Sequence, residues 1–199
     1  MFGLEPSIAA KQSVELFKEK NIKNIIELGA GLGRDSIFFA QNSINVKALD
    51  YSPSAIKTIN EKAEKKSLSN LVSTKIFDIR KKFPFEDNSI EACFSHMLYC
   101  MAFSNYDLEN LNNEILRILK PGGFNIYTVR NTDDGDYKKG NYIGEDLYEN
   151  DGFIVHFFSK DKINQLSKSF EILDIKSFEE GKFPRKLFKV ILKKKSLAR

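Results

Sequence analysis

The sequence is poor in residues that build metal and redox sites, with two cysteines and two histidines in 199 residues. Cys93 and Cys100 stand at a spacing that matches no zinc or redox motif, so both read as reduced thiols in or near the core. No ligand cluster for a metal can be assembled around them. There is also no uninterrupted apolar run near the roughly 18–20 residues of a membrane span. The amino terminus, MFGLEPSIAAKQ, has no basic segment followed by an apolar one. These absences predict a cytoplasmic protein that does not enter a membrane. The net charge of +4 is mild, and much of the excess lies in the lysines at 193–195 and others scattered along the chain, which read as solvated surface. No basic stripe with interleaved aromatics marks a track for nucleic acid. Repeats, low-complexity tracts and interdomain linkers are missing too, and a chain that is 42% hydrophobic and 29% charged reads as one α/β domain over residues 1–199.

What is present is organised around NIIELGAGLGRD at 24–35. A short apolar run containing an acid is followed by glycines at 29, 31 and 33, and then by the opening of a helix. Strand, tight glycine turn and helix make the shape of a nucleotide-cofactor site. Glycine lets the turn take positive φ and lets the backbone approach a ligand, while the free N–H groups of the helix point at it. Glu27, two residues before the first glycine, is suited to a positively charged group.

In chain order, a loosely amphipathic helix over 7–20 leads into the first strand, 24–28, and a helix follows the glycines to about 41. The second strand, 44–49, ends at Asp50. Ser52-Pro53, an N-cap serine with proline at the first helical position, opens a helix to about 66. Strands are expected over 71–77, ending at Asp78, and over 90–95. Leu108, Leu111, Ile115 and Ile118 form one stripe of a helix over 107–119, which Lys120-Pro121-Gly122-Gly123 stops before a fifth strand at 124–129. Strict alternation of strand and helix predicts a parallel sheet with right-handed crossovers and helices on both faces. The stretch 130–158 is polar and aromatic with no clear period. Ser159 then caps a short helix to about 168, and strands at 170–177 and 186–192 should pair antiparallel across a connection containing Gly181 and Pro184.

In an open parallel sheet, ligands bind beyond the carboxyl ends of the strands. Here the first three strands end in or near an acid: Glu27, Asp50 and Asp78. A carboxylate closing the second strand can accept from a ribose diol, and one closing the third from the amino group of adenine. With an acid aimed at an ammonium, the set describes adenosine attached to something cationic. A nicotinamide-dependent oxidoreductase is the competitor, but its fingerprint needs a glycine three positions after the second one, where this chain has Arg34.

ELGAGLG at 27–33, Asp50 with Ser52-Pro53, FDIRKKFPFEDNSIEACFS at 77–95 and LKPGG at 119–123 together resemble the successive motifs of the class I S-adenosylmethionine-dependent methyltransferases, nearest the small-molecule, type 11-like branch. The resemblance covers about 22–130. It implies a Rossmann-like, doubly wound sheet of seven strands, mostly parallel with an antiparallel final strand. Carried over by position, it places Gly29, Ala30 and Gly31 against the methionine portion of the cofactor, with Glu27 near its amino group. It places Asp50 on the ribose with Tyr51 beside the adenine, and Asp78 and Ile79 at the adenine amino group and ring. Ser95 and His96, just after the fourth strand, would contact the methionine end and face the acceptor. The chain lacks the Asn/Asp-Pro-Pro-aromatic motif typical of methylation on nucleic-acid bases.

Methyl transfer from a sulfonium is an in-line displacement, so the enzyme supplies mainly alignment and a water-poor site. His96 is the candidate base and Tyr99 a candidate for the acceptor pocket, whereas a structural role is expected for His156. The segment 131–158, longer than an ordinary loop, is expected to be a lid that sets the choice of a small-molecule acceptor. Methylation of protein or RNA, a cofactor-binding protein without turnover, and a monomer or a homodimer all remain open at this point.

Overall fold

The computed structural model describes residues 5–181 and 184–196. Lys182 and Phe183, within the expected connection of the last two strands, lie outside the described residues. Helix α1 (Ile8–Glu19) precedes β1 (Asn24–Leu28), α2 (Arg34–Gln41), β2 (Asn45–Asp50), α3 (Pro53–Lys65), β3 (Val72–Ile76), β4 (Ile90–His96), α4 (Asn105–Ile118) and β5 (Leu119–Arg130). Three short strands follow, β6 (Asn141–Gly144), β7 (Leu147–Asn150) and β8 (Phe153–His156). After them come α5 (Lys160–Leu166), β9 (Phe170–Glu180) and β10 (Arg185–Lys194).

Seven strands form one sheet in the order β3-β2-β1-β4-β5-β10-β9. The first five are parallel, and β10 runs antiparallel to both β5 and β9. Strand order reverses between β1 and β4, so the crevice beyond their carboxyl ends is where this topology places a ligand. Alternate side chains go to opposite faces. Ile25, Phe94 and Ile126 pack with Phe17, Phe39 and Ile59 of α1–α3, while Ile26, Cys93 and Tyr127 pack with Leu111, Ile115 and Ile163 of α4 and α5.

Local chemistry accounts for the helix ends. The Ser52 hydroxyl accepts the Ala55 N–H with Pro53 in the first helical position, as the sequence predicts. Helix α4 starts two residues earlier than expected because Ser104 and Asp107 form a reciprocal capping box. Its stripe Leu108, Leu111, Ile115 and Ile118 is buried throughout, and each such side chain contributes about 1.5–3 kcal/mol by leaving water. Pro121-Gly122-Gly123 lies inside β5, not before it. The register against β4 shifts there, and a Cβ on Gly123 would meet the Glu91 carbonyl oxygen at 2.9 Å.

The largest departure is 131–158. Where the sequence shows no clear period, it holds the antiparallel meander β6-β7-β8, a second, three-stranded sheet. Two-residue turns at Glu145-Asp146 and Asp151-Gly152, all four with positive φ, set its register. Tyr137, Tyr148 and Phe157 pack against one another on it.

Candidate cofactor and acceptor site

The glycine turn follows β1 directly. Gly29 and Ala30 donate their N–H groups to the Leu49 carbonyl (2.8 and 3.1 Å), which holds the turn against the end of β2. Gly29, Gly31 and Gly33 have φ of 67°, 53° and 76°, a region that disfavours any side chain. Two of them are also closed sterically, since a Cβ on Gly29 would lie 2.8 Å from Leu98 Cδ1 and one on Gly33 2.6 Å from Ile59 Cγ1. Gly31 differs: nothing lies within 4 Å of its Cβ position, which leaves open space beside bare backbone.

Asp50 ends β2 beside that opening. Its Oδ2 accepts the Gly31 N–H at 2.8 Å and its Oδ1 the Ser52 N–H at 2.9 Å. The carboxylate is thereby fixed, and each oxygen keeps a lone pair for a diol. Tyr51, next in sequence, is 74% exposed and stands open on the same rim. Asp78 is not equally ready. Arg80 binds it through Nε (2.9 Å to Oδ1) and Nη2 (2.7 Å to Oδ2), and this pairing holds its carboxyl down at about 2. The pair is exposed, and such pairs are weak enough for a ligand to displace. Ile79 is nearly buried, in the same core cluster as Phe83, and offers little surface to a ring.

Glu27 is buried and accepts a hydrogen bond from the Ser36 hydroxyl. Burial raises its carboxyl well above the usual range, and the neighbouring Asp35 and Asp50 add to this against Ser36 and Arg34. Asp35 is itself buried and raised by burial, although Ser7 donates to both its oxygens, from N at 2.7 Å and from Oγ at 2.8 Å. Three carboxyl groups thus crowd one end of the sheet. Such a site favours a cationic ligand, and a sulfonium carrying an ammonium fits the donor set and the opening at Gly31 together.

Ser95 and His96 are the last two residues of β4 and not the first two beyond it, so they point to opposite faces. Ser95 shares the face of Cys93 and is buried, with no hydrogen-bond partner at Oγ among the described residues. His96 lies on the face of Phe94, Glu27 and α2. Its Nδ1 is 3.0 Å from Thr128 Oγ1, which also accepts the Met97 N–H at 2.9 Å. Burial, with Arg34 and Arg185 nearby, lowers its pKa to about 3. The imidazole is therefore neutral at ordinary pH and stores a proton poorly.

Tyr99 is corrected. Its ring is fully buried and stacked on Tyr127 at 4.3 Å, while its hydroxyl donates to Asn112 Oδ1 (2.7 Å) and accepts from Asn125 Nδ2 (3.2 Å). With both hydrogen-bonding functions satisfied inside the core, it faces no acceptor pocket. His156 is also buried and internal. Lys162 Nζ lies 2.6 Å from its Nε2 and the Phe103 carbonyl 2.9 Å from its Nδ1, an arrangement that requires the proton on Nδ1. Burial and Lys162 push its pKa down to about 4. The histidine anchors the meander to the loop after β4.

The structure adds residues that the sequence did not single out, namely Ser7, Asp35, Ser36, Thr128 and Glu180. Among the described residues no group of three or more metal-ligating side chains occurs, and no helix is long and apolar enough to cross a membrane. A cavity of about 330 Å³ lined by Asn24, Asn45, Lys47 and Asn70 opens at the opposite, amino ends of the strands, away from the acids described above.

Sheet order, glycine turn and strand-end acids define a doubly wound α/β fold of the class that takes nucleotide-containing cofactors at this end of the sheet. Residues 25–123 match the family described as methyltransferase domain. The chain is 35% identical over 101 residues to phosphoethanolamine N-methyltransferase 1 of Triticum aestivum, a match that covers 51% of this chain and 20% of that protein. The chain spans about a fifth of the length of the curated relatives it matches. Among solved structures, a SAM-dependent methyltransferase from Methanosarcina mazei superposes with a TM-score of 0.76 at 20% identity, covering 88% of this chain and 94% of that one. The Burkholderia thailandensis 1,6-didemethyltoxoflavin-N1-methyltransferase, solved with 1,6-didemethyltoxoflavin and S-adenosylhomocysteine, gives 0.73 at 14% identity over 95% and 79% of the two chains. The chain thus carries a methyltransferase domain over residues 25–123 and has the fold of the S-adenosylmethionine-dependent methyltransferase from Methanosarcina mazei.

Proposed function

We propose that the chain transfers a methyl group from S-adenosylmethionine to a small-molecule acceptor, as a single domain whose 131–158 segment sets acceptor choice. The observation that carries the cofactor assignment is Asp50, clamped by the Gly31 and Ser52 N–H groups beside the unfilled side of Gly31. When bound, the cofactor supplies a methyl group already activated on a sulfonium. The protein's part is to bind and align. Gly29, Ala30 and Gly31 present backbone to the methionine portion, Asp50 holds the ribose hydroxyls, and Tyr51 and Asp78 flank the adenine. Glu27 receives the ammonium. Burial raises its carboxyl, and a cation arriving there favours the ionised form. Ser95 and His96 close the methionine end, and His96 faces the acceptor as a neutral group. The phosphoethanolamine methyltransferase likeness supports a small polar acceptor over protein or RNA.

The test is the unfolding midpoint with S-adenosylhomocysteine and, separately, with NADH. At about 100 times the dissociation constant a ligand adds about 2.7 kcal/mol, or roughly 5–10 °C for a chain of this size. The expected result is a shift with S-adenosylhomocysteine alone that disappears in Asp50→Ala. A shift with NADH alone would refute the assignment.

A further inference from the structure

Glu180, the last residue of β9, stands far in sequence from the cofactor motifs and reaches into the same site. Its Oε1 lies 3.4 Å from Arg34 Nη2 at the start of α2, and its Oε2 lies 3.8 Å from His96 Nε2. Oε2 is buried and has no hydrogen-bond partner among the described residues. The Ile8 N–H at the start of α1 also faces the carboxylate. His96 is level with Gly29 across the β1–β4 register, in which Glu27 pairs with Phe94. Glu180 therefore comes to the acceptor side of the glycine turn, at the switch point of the sheet.

The hydrogen bonds also fix how His96 is presented. Thr128 Oγ1 keeps a second lone pair beside the one that takes the Met97 N–H, so it can accept from His96 Nδ1–H, and that tautomer turns the Nε2 lone pair toward Glu180. The imidazole nitrogen and the carboxylate oxygen stand 3.8 Å apart, too far for a hydrogen bond between them. An ammonium that reached both atoms would donate to Glu180 Oε2 and to the His96 Nε2 lone pair, with the positive charges of Arg34 and Arg185 opposing it. A thiolate or carboxylate acceptor has no proton to give to either atom. Resting on the methyltransferase reading above, we propose that Glu180 binds and deprotonates an amine acceptor, with His96 positioning it. The acceptor ammonium gives one proton to Glu180 Oε2. Its freed lone pair forms the nitrogen–carbon bond as the carbon–sulfur bond breaks and leaves its electron pair on sulfur. The charged and titratable groups facing Glu180 are Arg34 and Asp35 from α2, His96 from β4 and the N-terminal N–H of α1; Arg185 of β10 acts on His96.

The test uses Glu180→Gln, which keeps an oxygen acceptor for Arg34 and the Ile8 N–H and removes the charge. The probes are ethanolamine, phosphoethanolamine and glycine as amines, with cysteamine blocked at nitrogen as the thiol. One readout is the unfolding midpoint of the S-adenosylhomocysteine complex, the other is transfer of radiolabelled methyl across pH 6.5–10. At least one amine should raise the midpoint of the wild-type complex and not that of the variant. The variant should transfer methyl to that amine about 100-fold more slowly near pH 7.5 and recover toward pH 10, where the free amine is neutral without help. Amine effects identical in the two proteins, transfer to the thiol alone, or no response to any amine would each overturn the proposal. If S-adenosylhomocysteine itself produced no shift in the wild type, the cofactor reading would fail instead.

Discussion

The three glycines of the turn are constrained for different reasons, and substitution separates them. Gly31→Ala places a methyl group in open space at φ 53°, so the cost is that of the left-handed backbone, about 1–2 kcal/mol. Gly33→Ala adds a collision with Ile59, and over-packing of that kind costs about 1–3 kcal/mol more. Urea unfolding should rank Gly33→Ala as the less stable protein. Calorimetric titration with S-adenosylhomocysteine should show the larger loss of affinity in Gly31→Ala, because its new methyl occupies the space kept for the ligand. Unchanged affinity in Gly31→Ala would mean that the opening is not the cofactor's. Much at this scale was legible in the sequence: Asp50 and the glycines announce themselves by position. Tyr99 was not, because the partners that satisfy its hydroxyl, Asn112 and Asn125, are buried polar residues on a helix and a strand that only folding brings together. Glu180 was hidden for a similar reason, lying 146 positions from Arg34.

At the scale of elements, the alternating strands and helices of the first 130 residues followed from apolar periodicity, Ser52-Pro53 and the α4 stripe. The meander did not, although Asp151-Gly152 carries a hairpin signal that the irregular aromatic pattern around it obscured. Helix α1 is held by an arrangement that its own sequence does not disclose. Ser7 caps it by accepting the Ala10 N–H at 3.0 Å and also donates to Asp35 on α2. Ser7→Ala removes the cap and one donor to a buried carboxylate, and should cost about 1–3 kcal/mol. Amide hydrogen exchange checks where the loss falls. Protection should drop over residues 8–19 while β1 keeps its own; an equal drop in both would mean that α1 and the sheet open as one unit.

For the molecule as a whole, the raised carboxyls make the ligand-free protein dependent on pH in a stated direction. Glu27 has a folded pKa above its unfolded value of 4.5, so its contribution is fully present below 4.5 and is lost as pH rises through the folded value. Each unit of that displacement is worth about 1.4 kcal/mol. Glu27→Gln, which keeps an oxygen for Ser36, should therefore unfold at a higher temperature than the parent at pH 7.5 in the absence of ligand. The gap should narrow toward pH 5, where the parent takes up the proton itself. Midpoints measured at both pH values check this, and a gap that widened on acidification would reverse the assigned sign. The strand order has a further consequence. Strand β10 lies between β5 and β9 yet is synthesised after both, so while the chain emerges from the ribosome β9 has no neighbour in the sheet and β5 keeps an open edge. The cofactor half can assemble first, but Glu180 reaches its place only when the later strand slots in. Until then, the nascent chain would hold a methyl donor site without the carboxylate that, on our proposal, admits the acceptor, and its bare β5 edge is the surface most in need of protection from neighbouring chains.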